Sequence, residues 1–421
     1  MYWLVEDIDQ LKIFYNSGYK EAFVEVIPYS NDLHASKNQV CAVYIRPIDA
    51  PKGYMLCSYH SEVLGIKLEY IEKILGKFDK LYCRDKKEIL HYFPLKTLFD
   101  ISLPPNPYIP EYTKTHSWFY NKHRDYHEIN VIIPIVKHYE VCERIYDELK
   151  DNIGKDNSYS SFFNTKTSVV FNALERNGIK INPKIFSDYF YQTDDEKVYT
   201  QYNLKTTTTR PSNRFKGVNY AALNKDNGCR KAFIPENDYF VEIDITAYHP
   251  SIAASLISFD FNTDDIHSAF AEMYRVDRDK AKELTFKQLY GGVFKQYRDL
   301  EFFQRINSFI SQKWEKFTKE GVVECDISHY KFYNEKLDNM NPQKLFNYLL
   351  QNYETSQNIL VLWDILSMLV GKKSKLVLYT YDSFLLDLKA DEEGILNDIQ
   401  KIFKKYKLNT KNKQGYDYNF R

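Results

Sequence analysis

Short apolar runs alternate with turns from residue 1 to about 110, as in AFVEVIPYSND, VCAVYIRPIDAPKGYML, IEKILGKFDKLYC and LKTLFDISL. Period-two runs broken by PKG and followed by helical spacing predict an α/β domain with a small sheet. The stretch LPPNPYIPEYTKT (103–115), rich in Pro and polar residues, predicts a linker or surface loop. Helical spacing returns in HEINVIIPIVKHYEVCERIYDELK (127–150), interrupted by Pro134, and a polar stretch, DNIGKDNSYSS (151–161), follows. The next helix, TSVVFNALERNGIKIN, has its stop signal at Gly178. Beyond 196 three features stand apart: a strand YFVEIDI (239–245), a long helix at about 277–291, and a hairpin-like pair LVLYTYDSFLLDL (376–388).

Composition narrows the picture. The 421 residues carry 57 Lys+Arg against 57 Asp+Glu, a formal net charge of zero. That excludes a histone-like electrostatic binder and leaves room for a local basic face. Aromatics at 16% exclude a disordered chain. The six cysteines form no CxxC pair and have no His pair at zinc-finger spacing, so reduced thiols are expected. The start, MYWLVEDIDQLKIF, is acidic where a signal peptide is basic, and no stretch nears the ~20 apolar residues of a membrane span. A soluble, cytoplasmic protein without membrane contact is the expectation.

Candidate chemistry begins with carboxylates on two strands. Asp244 interrupts the β-rich run YFVEIDITAYHPSI, with Glu242 on the same face, and Asp382 sits where LVLYTYDSFLLDL would turn. Each alone reads as an ordinary strand-end or turn Asp. Brought together, the two hold hard divalent cations through oxygen ligands. The second element is VDRDKAKELTFKQLYGGV, in which Arg278, Lys282, Phe286 and Tyr290 follow at i+4 spacing. On a helix they form one slowly turning stripe, graded from charge to aromatic surface, which suits a nucleoside triphosphate. Asp277 stands at the N-cap, and Gly291-Gly292 lets backbone approach closely beyond it. Taken alone, this helix also reads as an amphipathic helix with a solvated basic edge.

The pattern R-x3-K-x3-F-x3-YG in that helix resembles the fingers helix of family A DNA polymerases, the DNA polymerase I type. Asp265-Ile266-His267 resembles the D-I-H motif, whose His also reaches the triphosphate. Asp244 matches the metal-binding Asp of the first palm motif, and Asp382 in YDS that of the last. SVVFNALERNGIKIN, with Glu175 and Gly178, resembles the helix before the thumb, and KTTTTRPS the segment that sets Arg210 against the primer-template minor groove. Asn219 and Arg230 fit the next two DNA-binding positions, and Asn347 with Gln351 the pair at the primer end. The resemblance spans roughly 168–390.

What the resemblance implies is a right-hand polymerase domain (antiparallel-sheet palm, helical fingers, reduced thumb) behind an RNase-H-like, exonuclease-type α/β domain, so the fold class is α/β plus α+β. The expected boundaries are 1–150 and 151–421, with a residual thumb at about 162–205, palm at about 206–255 and 340–421, and fingers at about 256–339. The implied activity is template-directed extension of a DNA primer with dNTPs. Asp244 and Asp382 would hold two Mg²⁺ ions, with Mn²⁺ as a substitute. Arg278, Lys282 and His267 would grip the triphosphate, and Phe286 and Tyr290 would shape the base-pair pocket.

Departures from the family pattern define the subtype. Ser383 replaces the second carboxylate of the last palm motif, as in the related phage RNA polymerases. After Asp244 the run is ITAYHPSI, so His249 stands where the family places its sugar-gating Glu, with Tyr248 beside it as a ring to block the ribose 2′-hydroxyl. About thirty residues separate Gly178 from Arg210, too few for a full thumb, which implies weak hold on duplex DNA and a processivity or replisome partner. In the first domain the D-x-E site keeps only Glu25, CRDKKEI replaces N-x3-D, and YHEIN ends at Asn130. A catalytically dead exonuclease scaffold is the expectation, and Glu25, Asp85, Glu88 and Asp100 are the residues that would carry any activity contradicting it. The overall expectation is a compact, phage-like enzyme. The alternatives are a primer-independent, ribonucleotide-using or template-free nucleotidyltransferase, and a non-catalytic nucleic-acid-binding relative.

Overall fold

The computed structural model describes residues 3–103, 129–213, 218–263, 265–392 and 394–420, which leaves most of the expected 103–115 linker outside the described residues. The chain divides into two compact units, Met1–Arg176 and Asn177–Arg421. None of the described helices is long and apolar enough to cross a membrane.

The first unit is built on strands β1 (Trp3–Val5), β2 (Glu21–Pro28), β3 (Val40–Pro47), β4 (Tyr54–Cys57), β5 (Lys80–Cys83) and β6 (Leu98–Asp100). Their order is β1-β4-β3-β2-β5-β6. Strand β2 lies between antiparallel β3 and parallel β5, β4 is antiparallel to β3, and β6 continues parallel to β5. Helices α1 (Ile8–Tyr15), α2 (Leu68–Leu75) and α3 (Lys86–Tyr92) precede α4 (Ile135–Leu149), which starts directly after Pro134, and α5 (Ser168–Asn177), which stops before Gly178 at φ +62°. Alternation along β2 sends Ala22, Val24 and Val26 into one core and Phe23 and Ile27 into the other. Both faces are covered, so the strand reads as a continuous apolar run broken only by buried Glu25. All six cysteines are buried free thiols.

The division between units falls after the expected 150/151 boundary, and it cuts the expected 162–205 thumb segment. Polar contacts tie residues 158–176 to β6 and α3. Asn164 accepts the Asp100 amide at 2.7 Å, Asn172 donates to the Lys87 carbonyl at 3.0 Å, and buried Glu175 takes Lys87 Nζ at 2.7 and 2.9 Å and His91 Nε2 at 2.9 Å.

The second unit centres on an antiparallel sheet of β7 (Tyr239–Ile245), β8 (Lys375–Thr380), β9 (Ser383–Leu388) and β10 (Thr410–Gly415), ordered β8-β9-β7-β10. Around it lie α6 (Tyr248–Leu256), α7 (Ile266–Tyr274), α8 (Arg278–Gly291), α9 (Glu301–Lys319), α10 (Pro342–Met368) and α11 (Ile395–Lys405). Helix α10 runs ~40 Å at 1.5 Å per residue and is packed by α6, α8, α9 and α11. Enclosed on several sides, it buries polar residues as well as apolar ones, among them Asn352, Glu354 and Asn358. Between 178 and 238 the described residues hold one α-helix, Pro183–Tyr189, with short strands and 3-10 turns.

The Lys87–Glu175 pair is a buried ion pair of the first unit. Burial alone raises the Glu175 carboxyl, but Lys87 and His91 outweigh it and hold the group below its ordinary value of 4.5. Its contribution is therefore complete at neutral pH and is lost as pH falls through the lowered folded value. Glu175→Gln leaves a buried ammonium unpaired and is expected to destabilise the protein by about 3 kcal/mol at pH 7. Urea denaturation should show that loss shrinking toward pH 3, and a loss below about 1 kcal/mol at pH 7 would contradict the assignment.

Candidate active site

Strand register creates the centre of the site. Asp244 pairs with Ser383 across β7 and β9 and with Lys411 across β7 and β10, and the Ile245 amide donates to the Asp382 carbonyl at 2.8 Å. Asp382 and Tyr381 form the two-residue turn between β8 and β9, with Tyr381 at φ +62°. A bulky residue there costs on the order of 1–3 kcal/mol and persists only when its surroundings hold it. Here Asn358 of α10 donates to the Tyr381 carbonyl at 2.7 Å, and the Arg210 guanidinium lies 3.7 Å above the Tyr381 ring. Burial, then the charges of Glu354 and Asp244, push the Asp382 carboxyl above its ordinary range, although Arg210 opposes them.

Asp244 and Asp382 open onto a cavity of about 360 Å³. One wall is the exposed stripe of α8. The helix buries Ala281, Thr285, Gln288 and Leu289, which leaves Arg278, Lys282, Phe286 and Tyr290 to line the cavity. Asp277 caps the helix, accepting the Lys280 amide at 2.8 Å, and the Phe286 and Tyr290 rings are near parallel with centroids 6.0 Å apart. Arg278 is held by Asp265, with Nε and Nη2 at 2.9 and 3.1 Å from the carboxylate. His267 also lines the cavity, and its Nδ1 is buried without a hydrogen-bond partner. Burial and the cations Arg278, Lys282 and Lys411 hold its pKa below the ordinary value.

The floor is a polar relay. His249 offers Nδ1 to the Tyr290 hydroxyl at 2.5 Å and Nε2 to Glu354 at 2.9 Å, and the other oxygen of Glu354 takes Arg210 at 3.3 Å. The carboxylate only accepts, so Nε2 is the donor and in the neutral ring Nδ1 accepts the phenol proton. Tyr248 reaches the same wall, but its hydroxyl is taken by α10, with Asn358 at 2.8 Å.

Ten sequence-predicted residues therefore converge on one cavity: Asp244, Asp382, Arg278, Lys282, His267, Phe286, Tyr290, His249, Tyr248 and Arg210. Four predicted DNA-binding residues do not line it. Asn347 donates to the Tyr290 carbonyl, Gln351 accepts from Thr208, and Asn219 is exposed away from the cavity. Arg230 is buried, donates to the Leu223 carbonyl, stacks on Tyr418 and lies 4.0 Å from Glu242. Ser383 turns to that same glutamate, donating to Glu242 at 3.0 Å. Glu354, Lys411 and Lys225 line the cavity without having been anticipated. A lone carboxylate in the buried run NYETSQNILVLW is the signal that marks Glu354, whereas Lys411 lies in a polar strand, TKNKQG, with no such contrast.

In the first unit the expected remnant carboxylates are internally engaged. Arg84 places Nη2 and Nε at 2.6 and 3.1 Å from one oxygen of Glu25, Asp100 accepts the Ser102 amide and hydroxyl, and Asp85 caps α3 through the Glu88 amide. Burial pushes the Glu88 carboxyl up.

No family model matches the sequence, and no curated protein matches it. Among solved structures similar to it is the polymerase domain of Pol1 from M. smegmatis in complex with DNA primer-template and dNTP, with a TM-score of 0.75 and 12% identity over 100% of this chain and 99% of that one. At that identity the likeness is one of fold: the chain has a mixed α/β, polymerase-like fold.

The residues fit a divalent cation. Asp244 and Asp382 supply hard oxygen donors, and their mutual repulsion is what a bound cation relieves. Asp382→Asn is expected to raise the melting temperature in EDTA by about 1–3 °C and to abolish the stabilisation that Mg²⁺ gives the wild-type chain. Equal Mg²⁺ stabilisation of both proteins in a thermal scan would contradict a cation site there.

Proposed function

We propose that the chain is a DNA-directed DNA polymerase that extends a primer with dNTPs. The carrying observation is the single cavity that joins Asp244 and Asp382 to the Arg278–Lys282–Phe286–Tyr290 stripe and His267. Two Mg²⁺ ions held by Asp244 and Asp382, with Mn²⁺ as a substitute, would lower the pKa of the primer 3′-hydroxyl and neutralise charge on the departing pyrophosphate. Lys282 and His267 grip the triphosphate, and Arg278 exchanges Asp265 for phosphate oxygens as the nucleotide enters. Phe286 and Tyr290 flank the nascent base pair, with Tyr290 fixed by its bond to His249. Arg210 contacts the primer-template minor groove from its place beside Glu354.

The strand order and directions of the first unit support the RNase-H-like reading, and Arg84 neutralising Glu25 supports a scaffold without exonuclease activity. The short helical content between 178 and 238 supports a reduced thumb and dependence on a processivity partner. A second reading, ribonucleotide use, is favoured by one observation: His249, bonded to Tyr290 and Glu354, stands where the resemblance expects a sugar-gating carboxylate. Running the assay with rNTPs, and without template, separates it from the first.

Primer extension by the purified chain with Mg²⁺ and dNTPs tests the reading. Asp244→Ala and Asp382→Ala should each lower the rate by at least about 10³-fold, and Lys282→Ala should lower kcat/KM about 10- to 100-fold. Template-dependent extension that survives Asp382→Ala would sink it. The same reactions should leave a single-stranded primer intact, and Mg²⁺-dependent degradation would overturn the scaffold assignment.

A further inference from the structure

Thr246, Ala247, His267, Arg278 and Lys411 of the first cavity also line a second one of about 450 Å³. It shares those five residues with the first and adds Lys404 of α11, Asn409 and Asp265. Asp265 is its one carboxylate among the described lining residues, and Arg278 already neutralises it. Lys404 and Lys411 have no ion-pair partner among the described residues, so the cavity carries uncompensated positive charge. His267 gives a second, independent sign of a ligand. It is 5% exposed, lines both cavities, and keeps an unpartnered Nδ1. A buried ring nitrogen left without a partner costs free energy unless something fills the place.

We propose that this second cavity is a polyphosphate-anion site, held by Lys404 and Lys411 and lined by His267, which receives the pyrophosphate released at the first. The inference rests on the polymerase reading for the source of its ligand, but the anion site itself does not depend on it. In nucleotidyl transfer the primer 3′-oxygen forms a bond to the α-phosphorus and the bond from that phosphorus to the α–β bridging oxygen breaks. Pyrophosphate leaves with the electron pair, and the hydroxyl proton passes to solvent. The leaving group thus starts among Arg278, Lys282 and His267, and Arg278, His267 and Lys411 face both cavities. A graded set of cations lets the anion move on without stepping through neutral surface, and return of Arg278 to Asp265 displaces it from the first cavity. The triphosphate tail of a second nucleotide offers the same chemistry, so the test distinguishes the two sources.

The probe is inorganic pyrophosphate, titrated calorimetrically into the full chain in EDTA, with Lys404→Ala compared with Lys401→Ala. Lys404 lines only the second cavity, whereas Lys401 is an exposed neighbour on the same helix, paired with Asp398. Both variants remove one surface charge, so a general electrostatic effect moves them equally. Lys404→Ala should weaken pyrophosphate binding roughly tenfold, and Lys401→Ala less than about twofold. In primer extension, Lys404→Ala should raise the pyrophosphate inhibition constant by a larger factor than the KM for dNTP. Equal pyrophosphate affinity in all three proteins overturns the site. Two dATP molecules per wild-type chain, falling to one in Lys404→Ala, overturn the leaving-group assignment in favour of a second nucleotide. Loss of pyrophosphate affinity in Lys404→Ala from a chain that extends no primer upholds the anion site and rejects the polymerase reading.

Discussion

Antiparallel pairing of β7 with β9 sets Asp244 opposite Ser383 and so brings it to the same cavity as Asp382, whose carboxyl is raised by burial and by the charges of Glu354 and Asp244. Much of the second unit's polar structure meets at that pairing. Tyr381 accepts an unfavourable backbone conformation so that Asp382 can occupy the turn, and Arg210 and Asn358 clamp it there. Asn358 comes from the centre of α10, where buried polar residues answer polar groups from elsewhere in the unit, as Asn352 does Thr209 and Glu354 does His249. Glu354, whose charge acts on Asp382 more strongly than that of Asp244, has both oxygens engaged by Arg210 and His249.

Helix α8 meets this centre with a division of labour between its faces. Small and polar residues, Ala281 and Thr285 among them, pack inward, which lets long side chains stand outward in register with the carboxylates. Its first cation is restrained by Asp265 and its last aromatic by His249, so both ends of the stripe are oriented before any ligand arrives. The His249–Glu354 pair links the Tyr290 end of the stripe to Arg210. Preorganisation of this kind fits a site that binds a strongly charged ligand in a neutral protein.

Much of this was legible in the chain because it depends on periodicity. The i+4 stripe of α8, the strand at 239–245 and the hairpin at 376–388 follow from local spacing, and each falls where the pattern predicts. The ends of α4 and α5 follow likewise from Pro134 and Gly178. What spacing cannot give is a partner far away in sequence. Arg230 resembles a DNA contact by its neighbours, yet tertiary packing buries it over Tyr418 beside Glu242. Asn347 and Gln351 lie on the expected helix, but their amides hold Tyr290 and Thr208 in place. Lys411 owes its position wholly to the pairing of β10 with β7, and nothing in TKNKQG announces it. The division at 176/177 depends on distant partners too, since Asn164, Asn172 and Glu175 are polar residues whose partners lie 64 to 88 positions earlier.

The central claim is that the Asp244–Asp382 pair is a cation site facing a triphosphate grip. Anomalous diffraction from crystals grown with Mn²⁺ and a non-hydrolysable dNTP analogue measures this most directly. The account predicts manganese peaks bridging the two carboxylates, with the triphosphate running along Lys282 and His267 and with Arg278 moved from Asp265 to a phosphate oxygen. Triphosphate density elsewhere, or manganese absent from between Asp244 and Asp382, would contradict it.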